Sequence, residues 1–135
     1  MGRGDQLSRD TLAGVHVVVV DDDADARELI ATVLEYCGAL VTKAPSADHA
    51  LAVLKRVTSD AVVCDIAMPE RDGYWLLQQL RAAGNHPIPV VAITAHGALH
   101  GPDRTLLAGF DAHIRKPIDP WELSGILAAL TRRSP

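Results

Sequence analysis

Three consecutive aspartates, Asp21-Asp22-Asp23, close a run of valines, and a fourth, Asp65, closes a second apolar run, Ala61-Val62-Val63-Cys64. Carboxylates brought together from two strand ends repel one another unless a cation sits between them, and oxygen donors of this kind suit Mg²⁺. Two further polar groups stand in equivalent places: Thr94 ends the run from Pro89, and Lys116 follows Ala112-His113-Ile114. A lysine neutralises a phosphate as a point charge, and a hydroxyl donates a hydrogen bond to it. Together these residues have the chemistry to hold a phosphoryl group against a metal. No G-x-x-x-x-G-K-[ST] or G-x-G-x-x-G loop accompanies them, so nucleotide binding is not expected.

For these residues to meet, the runs before them must be neighbouring strands. Val15 to Val20, Leu40 to Lys43, Ala61 to Cys64, Pro89 to Thr94 and Ala112 to Ile114 are short and β-branched, as strands buried on both faces are. Helix-period segments alternate with them. Ala26, Leu29, Ile30, Val33, Leu34 and Cys37 form the first apolar stripe, which Gly38 ends. Ser46 is placed to cap a second helix carrying Ala47, Ala50, Leu51 and Leu54, while Leu76, Leu77 and Leu80 mark a third. Gly97, Gly101 and Pro102 confine a fourth to Pro102–Ala108. Asp119-Pro120-Trp121-Glu122 supplies a cap, a proline at the first helical position and a reach-back glutamate ahead of Leu123, Ile126, Leu127 and Leu130. Five strand–helix pairs with short connections require right-handed crossovers, hence an open, doubly wound α/β sandwich. In such a sheet the site lies beyond the carboxyl ends of the strands, where strand order reverses.

The chain has 135 residues, room for one domain of the usual ~100–200. Residues 1–14 read as a flexible leader, 15–131 as the domain and 132–135 as a tail. A net charge of −4 argues against nucleic-acid binding by counterion release. Neither a membrane span nor a signal peptide is expected, and Cys37 and Cys64 read as buried free thiols; a cytoplasmic location follows.

Val-Val-Val-Asp21-Asp22-Asp23 with Arg27 following, Asp65-Ile66-Ala67-Met68-Pro69 running to Asp72-Gly73, Ile93-Thr94-Ala95 and Lys116-Pro117 resemble the receiver domain of two-component response regulators. The resemblance spans nearly all of 15–131 and implies a flavodoxin-like sheet of order 2-1-3-4-5 with five helices. It also implies that Asp65 alone accepts a phosphoryl group from a phosphohistidine of a sensor histidine kinase or histidine-phosphotransfer protein. Mg²⁺ would be bound by Asp22, by Asp65, by the backbone carbonyl of Ala67, and by Asp21 through water. Thr94 and Lys116 would engage the phosphoryl oxygens, and a cis Lys116–Pro117 bond is implied. Switching would pass through Thr94 and position 113 to the surface of the fourth helix, fifth strand and fifth helix. His113 departs from the family, where a tyrosine or phenylalanine usually stands. The match through Arg27 favours Asp21-Asp22 as the acidic pair, with Asp23 beginning the helix.

Two other readings stay open on residues alone. Asp21-x-Asp23 superficially matches the D-x-D-x-[TV] motif of haloacid dehalogenase-type phosphatases, although Asp25 occupies the Thr/Val position. A degenerate receiver serving only as a docking module is the other. Among the remaining candidates, His96 and His100 have zinc-ligand spacing without a third ligand. Arg3-Gly4-Asp5 reads as chance, and His16, His49 and His86 as surface or strand-edge residues. Trp75 and Trp121, near helix starts, are expected to be half-buried.

Overall fold

The computed structural model describes residues 9–84, 87–95 and 102–132. Strands β1 (His16–Val20), β2 (Leu40–Ala44), β3 (Ala61–Asp65), β4 (Val90–Thr94) and β5 (Ala112–Arg115) alternate with helices α1 (Ala24–Tyr36), α2 (Ala47–Arg56), α3 (Gly73–Ala83), α4 (Pro102–Ala108) and α5 (Pro120–Thr131). The five strands form one sheet in the order β2-β1-β3-β4-β5, and every neighbouring pair is parallel. The doubly wound, flavodoxin-like fold expected from the sequence is the one observed. Because β1 pairs with both β2 and β3, the order reverses there, and the carboxyl ends of β1 and β3 are where a sheet of this kind places its site.

Period-two alternation builds a core on each face. Val17, Val19, Val63, Val91 and Ile93 pack with Ile30 and Leu34 of α1 and Leu123 and Leu127 of α5. Val18, Val20, Val62 and Cys64 pack with Ala47 and Ala50 of α2 and Leu76, Leu77 and Leu80 of α3. Strands β3 and β4 are buried along their whole length, which is why they read as continuous apolar runs. Asp23, Ser46, Asp72 and Asp119 cap α1, α2, α3 and α5 by accepting hydrogen bonds from backbone N–H groups of the first turn. Both cysteines are free and buried, and Trp75 and Trp121 are half-buried. No helix among the described residues is long and apolar enough to cross a membrane.

Three expectations need correction. The folded body starts earlier than residue 15: Leu12 is fully buried in the α1–α5 core, and its N–H donates to the Cys37 carbonyl at 2.8 Å. The chain passes so close that a Cβ at Gly38, whose φ is +96°, would lie 2.7 Å from the Arg9 carbonyl oxygen. Leu29 is 59% exposed, because the buried stripe of α1 centres on Ile30, Ala31 and Leu34. His16 is no isolated edge residue: its ring meets the hydroxyls of Thr42 at 2.8 Å and Ser59 at 3.0 Å, tying β1 to β2 and to the turn before β3. Arg3-Gly4-Asp5, His86, His96 and His100 lie outside the described residues.

Candidate functional site

The reversal of strand order brings Asp21 and Asp22, just past β1, to Asp65, the last residue of β3. Carboxylate oxygens of the three lie within 4.8 Å of one another. Their exposures differ with their backbone positions. Asp21 is fully buried and Asp65 is 7% exposed, whereas Asp22 is exposed to solvent.

Asp21 is held from several directions. Oδ1 accepts from the Asp23 N–H at 2.9 Å and Oδ2 faces the Lys116 ammonium at 3.4 Å, while the Asp21 carbonyl accepts from Arg27 Nη1 at 2.8 Å. Asp23 turns away from this group, its Oδ1 accepting from the N–H groups of Asp25 at 3.0 Å and Ala26 at 3.5 Å. The carboxylates that gather with Asp65 are thus those of Asp21 and Asp22, while Asp23 caps α1.

Burial, the charge of Asp21 and the charge of Asp22 together raise the Asp65 carboxyl from 3.8 to about 6, against the opposing pull of Lys116 and a hydrogen bond from the Ala67 backbone. Crowded hard oxygen donors with a net negative charge fit a divalent cation such as Mg²⁺. Ala67 lies exposed at the rim, two residues past Asp65. The approach of α3 closes the loop beneath it: a Cβ at Gly73 would lie 2.9 Å from the Asp65 carbonyl oxygen, and Gly73 N–H donates to the Ile66 carbonyl.

Thr94 ends β4 beside Asp65, since Asp65 pairs in register with Ile93. The Lys116 N–H donates to the Thr94 carbonyl at 2.8 Å, and the Lys116–Pro117 bond is cis, as the resemblance implied. The Thr94 hydroxyl lies 3.0 Å from His113 Nε2, and His113 Nδ1 lies 2.8 Å from the hydroxyl of Thr105 on α4. Sequence reasoning found the ends of the strands but missed Thr105 and the hold of Arg27 on the Asp21 carbonyl. Thr105 carries no spacing signal, because it reaches His113 only through packing of α4 over β5; Arg27 stands in the motif six residues past Asp21, but its type and spacing do not say that it holds a backbone carbonyl.

A parallel doubly wound sheet with an acidic triad at its switch point, and a threonine and a lysine on the adjoining strand ends, defines a phosphoacceptor module of the flavodoxin-like class. Comparison with known proteins gives the family. The response regulator receiver domain model matches residues 17–128. An uncharacterized 14.6 kDa protein from the sodA1 3′ region of Leptolyngbya boryana is 41% identical over 114 residues, covering 84% of this chain and 87% of that protein. The probable transcriptional regulator ycf27 of Guillardia theta is 33% identical over 118 residues, 87% of this chain but only 46% of that protein. The receiver domain of NtrX from Brucella abortus superposes with a TM-score of 0.80 at 29% identity, covering 87% of this chain and 99% of that structure. The chain belongs to the response regulator receiver domains, the phosphoacceptor modules of two-component signalling.

Proposed function

We propose that Asp65 is the phosphoacceptor, loaded from a phosphohistidine on a sensor histidine kinase or histidine-phosphotransfer protein. The observation that carries this reading is the position of Asp65: at the end of the central strand β3, nearly buried, with its oxygens among those of Asp21 and Asp22. An Asp65 oxygen attacks phosphorus, the P–N bond breaks with its electron pair returning to the donor imidazole, and an acyl phosphate forms. Asp22, Asp65 and the Ala67 carbonyl would hold Mg²⁺. Asp21, with both carboxylate oxygens already engaged, would act through water. When bound, the metal supplies positive charge against the transferring phosphoryl oxygens. Lys116 adds a second positive charge and Thr94 a hydroxyl donor.

On this reading the chain is a cytoplasmic signalling phosphoacceptor that assists its own phosphorylation and dephosphorylation. The α4-β5-α5 face reports its state to an output partner, and Leu106 and Leu107, 49% and 88% exposed on α4, offer that partner an apolar contact. Incubation with Mg²⁺ and acetyl phosphate, followed by intact mass and borohydride trapping, is expected to find one acyl phosphate, absent from Asp65→Asn. Steady turnover of small phosphate esters, or modification unchanged in Asp65→Asn, would overturn the assignment.

A further inference from the structure

His113 does not stand at an empty position. Its ring bridges two hydroxyls, Thr94 Oγ1 on Nε2 at 3.0 Å and Thr105 Oγ1 on Nδ1 at 2.8 Å. Thr94 is 2% exposed and Thr105 fully buried, so both bonds form where water does not compete freely. The bridge runs from the end of β4, through β5, to the middle of α4.

A neutral imidazole has one N–H and one lone pair. One hydroxyl must therefore donate into the ring while the other accepts from it. If Thr94 donates to Nε2, the proton is on Nδ1 and Thr105 accepts. If Thr94 aims its proton elsewhere, it can keep the bond only by accepting from Nε2–H, and Nδ1 then accepts from Thr105. A phosphoryl group on Asp65, which this step takes from the function proposed above, offers Thr94 an anionic acceptor stronger than an imidazole nitrogen.

We infer that His113 and Thr105 are positioning residues for Thr94, and that loading of Asp65 moves His113 to its Nε2–H tautomer and turns the Thr105 hydroxyl from acceptor to donor. The ring keeps its single proton throughout. Nδ1 gives up a proton, Nε2 gains one through the water that reaches this half-buried side chain, and the Thr105 hydroxyl rotates. The signal reaches α4 as a reversal of hydrogen-bond polarity, with no aromatic ring entering a vacated space.

Long-range ¹⁵N–¹H correlation spectra of the His113 ring test this in full-length protein, at rest and with beryllofluoride and Mg²⁺. The expected result is an Nδ1–H or mixed ring at rest and an Nε2–H ring when loaded. Thr105→Val is expected to abolish the loading-induced amide shifts of residues 104–108 and to spare those at Asp65, while Thr105→Ser restores them. A ring already Nε2–H at rest, a ring unchanged on loading, or α4 shifts that persist fully in Thr105→Val would each overturn the relay while leaving the phosphoacceptor reading intact. Absence of any Asp65-dependent shift overturns that reading, and the relay with it.

Discussion

The Lys116 ammonium lies 3.4 Å from Oδ2 of Asp21, joining the end of β5 to the end of β1 across 95 positions of sequence. Asp21 is fully buried, and a carboxylate so placed is costly without a counter-charge. Lys116 therefore stabilises the metal-free pocket. Replacing it by methionine leaves Asp21 facing Asp65 and Asp22 without that cation. Removing one partner of a fully buried pair costs about 3–5 kcal/mol. Because the Lys116 side chain keeps 28% exposure, the expected loss in EDTA is lower, about 1–3 kcal/mol by urea denaturation, with partial recovery in saturating Mg²⁺.

Asp65 gives a stability–pH relation opposite to that of most carboxylates. Its folded pKa, about 6, stands above its ordinary 3.8, so the folded state holds this proton more tightly than the unfolded state does. The penalty is complete above pH 6 and is relieved as pH falls from about 6 toward 3.8. That rise corresponds to at most roughly 3 kcal/mol. Metal-free Asp65→Asn is expected to be more stable than wild type by about 1–3 kcal/mol at pH 7, and the advantage shrinks as pH drops to 4. Parallel urea titrations in EDTA at several pH values measure it; an Asn variant less stable at pH 7 contradicts the crowding of the three carboxylates.

Asp22 and Asp23 are adjacent yet have separable tasks. Asp22 faces the pocket and solvent, whereas Asp23 caps α1. Asp22→Ala is expected to weaken Mg²⁺ binding, followed by Trp75 fluorescence, with little change in stability. Asp23→Ala is expected to cost about 1 kcal/mol of stability and to leave metal affinity near wild type. Equal loss of affinity in both variants would show that the triplet register is wrong.

Much of this arrangement was legible because the central strands are buried on both faces and read as β-branched runs, and because their last residues are polar where the fold places its crevice. Helix starts were legible through Ser46 and Asp119, whose side chains cap as their types predict. Three features were not, each for a physical reason. Leu12 lies in a segment without periodicity, so its burial in the α1–α5 core comes from tertiary packing that no local pattern announces. Leu29 shares the helical period of Ile30 and Val33, but the sheet covers a narrower arc of α1 than the pattern allows. The His113–Thr105 bond depends on how α4 packs over β5, which no local spacing encodes.

The surroundings of the ring also bear on its charge. Burial and the neighbouring Arg115 lower the His113 pKa from 6.5, and Glu122 on α5 pulls the other way. The two groups hydrogen-bonded to the ring, Thr94 on β4 and Thr105 on α4, are neutral. In the resting protein the ring is expected to titrate below 6.5, still lower in Glu122→Gln and higher in Arg115→Gln. Ring proton shifts followed against pH read all three. An imidazolium has no lone pair, so below its midpoint both hydroxyls accept from the ring whatever the state of Asp65. The response of α4 to beryllofluoride is therefore expected to fade as pH falls through that midpoint. His113→Tyr retains the titration of Asp65 and lacks that of the imidazole, so the difference between the two proteins isolates the ring. A wild-type midpoint at or above 6.5, or an α4 response with the same pH dependence in His113→Tyr, would show that the charge of His113 has no part in the coupling.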